Sequence, residues 1–163
     1  MWQRAGLPAM RLAVNLSPLQ LRQDDLFASI TEILRESGLA PQYLELEITE
    51  NTVMDRSRDT ISTLIQLEHL GVKISIDDFG TGYSSLAYLK QFPVHTLKID
   101  RTFVRDITTD RDDAAIVNAT IAMAKSLGLS LIAEGVETRE QLAIGRANVR
   151  TPVTEVPRMP SSA

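Results

Sequence analysis

Apolar positions along this chain switch repeatedly between two periods. Short runs in which every second residue is apolar give way to longer stretches with apolar residues three and four apart, the signatures of strand and helix respectively. Leu12 to Leu16 is the first short run, with Asn15 near its C-terminal end. Residues 24 to 37 carry helical spacing through Leu26, Phe27, Ile30, Ile33 and Leu34, and Gly38 stands where a helix C-cap belongs. Tyr43 to Thr49 predicts a second strand, in which Leu44, Leu46 and Ile48 alternate with Glu45 and Glu47. A helix is predicted from Arg56 to Leu70, ended by Gly71, and a third strand from Val72 to Asp77. A glycine-containing turn then leads to a short helix near residues 85 to 90, and Thr96 to Ile99 is a fourth strand. Residues 112 to 127 form the clearest amphipathic helix, stopped by Gly128. Leu129 to Ala133 is a fifth strand, and Thr138 opens a capping box with Gln141.

Five strand-then-helix units predict an α/β fold with a parallel sheet and helices outside it. An open doubly wound sheet would place a glycine-rich loop after its first strand; here that loop reads Asn-Leu-Ser-Pro-Leu-Gln, which favours a closed barrel. A complete barrel of this class has about eight strands and roughly 250 residues, so the expectation is an incomplete TIM-like (β/α) barrel. Periodicity fades from about Ala143, and three prolines fall in the last twelve residues, so residues 143–163 are expected to be an irregular tail foreign to the fold.

Composition narrows the function. The chain has 163 residues, of which 44% are hydrophobic and 23% charged, values of an ordinary globular domain. Its net charge of −4 argues against coating a nucleic acid polymer, which needs clustered Lys and Arg. Without cysteine there is neither disulfide nor thiolate metal site, which fits a reducing, cytoplasmic compartment. No apolar run reaches the length of a membrane segment, and the first ten residues lack a signal-peptide core.

The chemistry lies at the ends of the strands. Asn15, Glu47, Asp77 with Asp78, Lys98 with Asp100, and Glu134 with Glu137 all stand at or just past a predicted strand's C-terminal end. In a parallel barrel those ends converge on one face, so residues distant in sequence meet there. Amide and carboxylate oxygens without His or Cys are hard donors suited to Mg²⁺ or Mn²⁺ rather than zinc. Any one acidic residue here is more simply a helix N-cap or a solvated loop residue; recurrence on five successive strands is what argues for a site. Asp77-Asp78 is the strongest element, because two adjacent carboxylates repel each other and a cation relieves that. Other features have plainer explanations. The Asp-Phe-Gly of residues 78–80 lacks the accompanying kinase motifs, and Gly80-Thr81-Gly82 lacks the third glycine of a dinucleotide loop. His69 ends a helix, His95 has no ligand-like neighbours in sequence, and Asp110, Asp112 and Asp113 cap and charge a helix start.

The segments Asn-Leu-Ser-Pro, Glu-Leu-Glu-Ile-Thr-Glu, Ile-Asp-Asp-Phe-Gly-Thr-Gly-Tyr-Ser-Ser-Leu, Leu-Lys-Ile-Asp-Arg-Thr-Phe-Val and Ile-Ala-Glu-Gly-Val-Glu-Thr resemble EAL domains in order, spacing and wording, from about Trp2 to Leu142. The resemblance implies a barrel of the EAL type in residues 1–142, and metal-dependent hydrolysis of cyclic di-GMP to the linear dinucleotide pGpG. It implies Asn15, Glu47 and Asp77 as metal ligands, Asp78 as a ligand to a second metal, Lys98 beside the nucleophilic water, and Glu134 as general base. Glu137 would be a supporting carboxylate, Glu50 the anchor of the Asp-Asp-Phe-Gly-Thr-Gly-Tyr loop, and a homodimer the assembly. Two family segments are missing: the Glu-Ala-Leu signature, whose glutamate is a metal ligand, and the Gln-Gly-Tyr-x-Phe-Ser-x-Pro stretch expected after Leu142. A domain truncated at both ends is therefore expected, and its turnover is left open. The alternatives are an inactive EAL-like module that binds cyclic di-GMP or regulates a partner, and a gene fragment without function.

Overall fold

The computed structural model describes residues 10–53, 58–82 and 89–148. In chain order the elements are β1 (Leu12–Asn15), α1 (Pro18–Leu21), α2 (Leu26–Ser37), β2 (Leu44–Thr49), α3 (Glu50–Val53), α4 (Arg58–Leu70), β3 (Lys73–Phe79), β4 (Thr96–Ile99), α5 (Arg101–Arg105), α6 (Arg111–Leu127), β5 (Ser130–Ala133) and α7 (Arg139–Asn148). All five strands are parallel and lie in the order β1-β2-β3-β4-β5. Sequential order is that of a barrel wall; a doubly wound sheet reverses direction at a switch point.

The strand pattern sorts side chains onto two faces. In-register partners of parallel strands share a face, so Leu46 and Ile48 line up with Ile74 and Ile76, and Ile76 with Leu97. These five are 0–3% exposed and pack with Leu64 and Leu67 of α4 and Ala124 of α6. Burying each such side chain is worth about 1.5–3 kcal/mol, which is what holds the helices on this face. A second cluster joins Ile99, Val104, Ile107, Val117 and Ile121, with Val136 and Ile144 packed against it. The opposite face carries Glu45, Glu47, Ser75, Thr96 and Lys98, all inside the fold.

Several boundaries differ from the sequence pattern for physical reasons. Tyr43 belongs to a 3-10 turn (Pro41–Tyr43) that delivers the chain into β2. β3 runs past Asp77 to Phe79 because the strand contains a bulge. Helices α1, α3 and α5 span only 4, 4 and 5 residues, too short to show a helical period. The expected irregular stretch from Ala143 is instead helical as far as Asn148. The Thr138–Gln141 cap nucleates that helix, and Ile144 holds it on the second cluster. The helix expected near residues 85 to 90 falls mostly on residues 83–88, and the rest of the expected tail on residues 149–163, both outside the described residues. Among the described residues, no helix is long and apolar enough to cross a membrane.

Candidate active site at the C-terminal rim

Three neighbouring strand ends and a loop bring the site together. Register places Asn15 beside Glu47 and Thr49 beside Asp77, and the alternation puts these on the polar face. Lys98, on β4, points to the same face and reaches all three neighbouring carboxylates. Its Nζ lies 2.9 Å from Glu47 Oε1, 3.2 Å from Asp77 Oδ1 and 2.6 Å from Glu134 Oε1. Burial alone would lower the pKa of this ammonium; hydrogen bonds to Glu134 and Glu47 and the charge of Asp77 outweigh it and hold the pKa well above the usual lysine range.

Plain alternation would send Asp77 and Asp78 to opposite faces. The bulge prevents this. Ile76 pairs with Leu97 and Phe79 with Ile99, so both aspartates lie opposite Lys98 alone. Asp78 takes a left-handed backbone conformation, φ 52°, as bulges beside active sites do to re-aim a side chain. Its amide donates to Asp77 Oδ1 at 3.0 Å. The Asp78 carboxyl is raised in pKa by burial, by the charge of Asp77, and by a hydrogen bond with Asp100 and the charges of Asp100 and Glu134. Burial would raise Asp100 too, but hydrogen bonds from the Thr102 hydroxyl and amide, with that from Asp78, pull it below the usual range. Within the pair, ionisation is therefore disfavoured at Asp78 and favoured at Asp100.

The loop after β3 is pinned from β2's end. Glu50 is 3% exposed, and its Oε2 accepts from the amides of Gly80 at 2.8 Å and Gly82 at 3.3 Å. A Cβ at residue 82 would come 2.9 Å from Glu50 Oε1, so glycine is what lets the loop lie on this carboxylate. Glu134 follows β5, and its amide donates to Ile99 O at 3.1 Å.

Of the residues singled out from sequence, Glu47, Asp77, Lys98 and Glu134 meet directly, and Asp78 sits within electrostatic reach of Asp77 and Glu134. Asn15 is exposed, in register with Glu47; Glu137 is exposed on the Glu134 loop, its amide donating to Gln141 Oε1 at 2.8 Å. Asp100 joins the site as the partner of Asp78, although its local signal is that of an N-cap, a role it also fills through Thr102 N at 2.8 Å. No group of three or more His, Cys, Asp or Glu side chains among the described residues stands arranged to hold a metal ion; Glu47, Asp77 and Glu134 converge on Lys98.

Known proteins match this chain over most of its length. The EAL domain family model matches residues 1–147. The cyclic di-GMP phosphodiesterase NbdA of Pseudomonas aeruginosa is 48% identical over 144 residues, covering 88% of this chain and 18% of that protein. The phosphodiesterase MucR of the same organism, solved as a cyclic di-GMP complex, superposes with a TM-score of 0.85 at 46% identity, covering 90% of this chain and 59% of that one. BlrP1 of Klebsiella pneumoniae, solved with cyclic di-GMP and calcium, superposes with a TM-score of 0.79 at 33% identity, covering 90% of this chain and 37% of that one. The same protein was also solved with manganese. The chain thus spans about a fifth of the length of curated relatives such as NbdA (18%) and MucR (21%). The matched structures are TIM-like EAL barrels, and the five parallel strands are part of that wall.

Proposed function

We propose, from the premise that this chain belongs to the EAL domain family, that its carboxylate rim hydrolyses one phosphodiester bond of cyclic di-GMP to give pGpG. The observation that carries this reading is the convergence of Glu47, Asp77 and Glu134 on Lys98 at one end of the sheet.

The donor set is an amide oxygen and carboxylates, without His or Cys, which fits a hard divalent cation such as Mg²⁺ or Mn²⁺. The raised pKa of Asp78 marks negative charge that the protein alone leaves poorly neutralised. Asn15, Glu47, Asp77 and Asp78 would hold the ion. Once bound, such an ion supplies Lewis acidity toward the phosphoryl oxygens and makes a neighbouring water more acidic. Glu134 takes the proton of the attacking water, whose oxygen bonds to phosphorus in line with the leaving 3′ oxygen. That P–O bond breaks, the 3′ oxygen takes up a proton, and the phosphate stays on the 5′ side. Lys98, held between Glu134 and Asp77, orients the water and offsets charge building on the phosphoryl oxygens. Glu50 fixes the Gly80–Gly82 segment that borders the site, and Glu137 supports the Glu134 loop.

The test is incubation of the whole chain with cyclic di-GMP and Mg²⁺ or Mn²⁺, with chromatography of the products. Metal-dependent pGpG is expected, and Glu134→Gln should lower turnover by about 10²–10⁴-fold while leaving thermal unfolding cooperative. Binding of cyclic di-GMP without product would replace this reading by a non-catalytic module, which the occupation of the carboxylate centre by Lys98 would then explain.

A further inference from the structure

We propose that Gln141 is a positioning residue that locks the Glu134 loop along α5, and that its amide group, rather than its helix-capping role, is what the reaction requires. The functional half of this proposal rests on the phosphodiesterase reading above.

Gln141 is buried although the first turn of α7 around it is exposed. Three of its hydrogen bonds are those of a helix cap. Its Oε1 accepts from the amides of Glu137 at 2.8 Å and Thr138 at 2.9 Å, and its own amide donates to Thr138 Oγ1 at 3.2 Å. A fourth has no part in capping. Nε2 donates to the carbonyl of Arg105 at 3.1 Å, across 36 residues of sequence, at the last residue of α5. The loop also touches the other end of that helix. Gly135, at φ 70°, lies so close to Arg101 that a Cβ there would come 2.8 Å from Arg101 Cβ. Between the two, Val136 packs on the cluster containing Val104 of α5. The segment from Glu134 to Thr138 is therefore held against α5 at both ends and in the middle.

Both elements deliver site residues. Asp100, the N-cap of α5, partners Asp78. Glu134, at the head of the loop, meets Lys98 at 2.6 Å. Sliding the loop along α5 changes the spacing of Glu134 from Lys98, and misplacing a reacting group by about 1 Å costs up to about a hundredfold in rate. The chemistry at position 141 is selective. A glutamate serves a capping box as well as a glutamine does, but it has no proton to donate to the Arg105 carbonyl.

The experiment compares wild type, Gln141→Glu, Gln141→Met and Gly135→Ala in the whole chain, by amide hydrogen exchange and by kinetics with cyclic di-GMP and Mn²⁺. In Gln141→Glu the Glu137 and Thr138 amides should stay protected, while exchange at the Glu134 amide rises and kcat falls roughly tenfold or more with KM unchanged. Gln141→Met should lose protection at all three amides. Gly135→Ala opens the other end of the same contact and should reproduce the kcat loss, so it decides the matter if Gln141→Glu fails to fold. Wild-type exchange at Glu134 and wild-type kcat in the variant that folds would overturn the proposal and leave Gln141 a cap. A wild-type chain that makes no pGpG would sink the phosphodiesterase reading instead, and exchange at Glu134 would alone decide whether Gln141 locks the loop.

Discussion

The two ends of the same sheet handle charge in opposite ways. At the N-terminal end, Arg11 pairs with Glu45 at 2.9 Å, and Glu68 lies 3.9 Å from the His95 imidazole, on which the charges of Lys73 and Arg11 oppose those of Glu68 and Glu45. At the C-terminal end Glu47, Asp77 and Glu134 share the single ammonium of Lys98, and Asp78 and Asp100 stand beside them, Asp100 also within reach of the Arg101 charge. Stability alone does not favour such an excess of like charge. Barrels place stability at the bottom of the strands and chemistry at the top, and here the difference can be read as charge balance at one end and stored repulsion at the other. The comparison can be broken by neutralising one end and finding that it responds like the other.

Lys98 should give the largest response. It is 10% exposed and touches three carboxylates, so Lys98→Met leaves those charges without their partner. Removing one member of a buried ionic network costs about 3–5 kcal/mol. We expect the melting temperature without divalent ions to fall accordingly, and the deficit to shrink when Mn²⁺ is added, since a cation then takes over the neutralising role. Thermal unfolding with and without Mn²⁺ measures both. A deficit that Mn²⁺ leaves unchanged would mean that lysine and metal do not serve the same carboxylates.

Asp78→Asn should act in the opposite direction and more weakly. Burial, Asp77 and Asp100 together disfavour an ionised Asp78, and the amide keeps a hydrogen bond to Asp100 while removing the charge. Without metal the variant should be more stable than wild type by a few degrees, since about 1 kcal/mol moves the melting temperature of a chain this size by about 2–4 °C. The same variant should bind Mn²⁺ more weakly by calorimetric titration. Equal melting temperatures would show that the top rim carries no stored repulsion at this position.

How legible these features are in sequence follows from their range. β4 has the bounds its pattern predicts, Thr96–Ile99, and β2 differs by one residue, because alternation between an apolar and a polar face is written residue by residue. The convergence of Glu47, Asp77, Lys98 and Glu134 was also readable, since parallel strands bring their C-terminal ends together whatever the loops do. The bulge was not. Two adjacent aspartates read as repelling neighbours, but nothing local tells that Asp78 adopts φ 52° and turns toward Asp100. Asp100 was readable as a strand-end carboxylate beside Lys98, but its pairing with Asp78 was not, because that partner comes from another strand. Gln141 shows the same limit, its capping box being local and its bond to Arg105 spanning 36 residues.

The smallest effect belongs to the balanced end, and its sign differs from that of the rim. Burial lowers the pKa of His95, reinforced by Lys73 and Arg11 and only partly opposed by Glu68 and Glu45. Its Nδ1 accepts from the Ile74 amide at 3.4 Å, a bond that needs that nitrogen unprotonated. A base whose pKa is depressed by folding is protonated more readily in the unfolded chain. Its contribution is therefore complete above the ordinary imidazole pKa of about 6.5 and is lost as pH falls through the depressed value. Melting temperature should decline from pH 7 toward pH 5, and His95→Gln, which keeps an acceptor without a titrating proton, should flatten part of that decline by a degree or two. A variant with the wild-type slope would mean that the N-terminal end is balanced by its fixed charges alone, Arg11 and Lys73 against Glu45 and Glu68, with the imidazole a bystander.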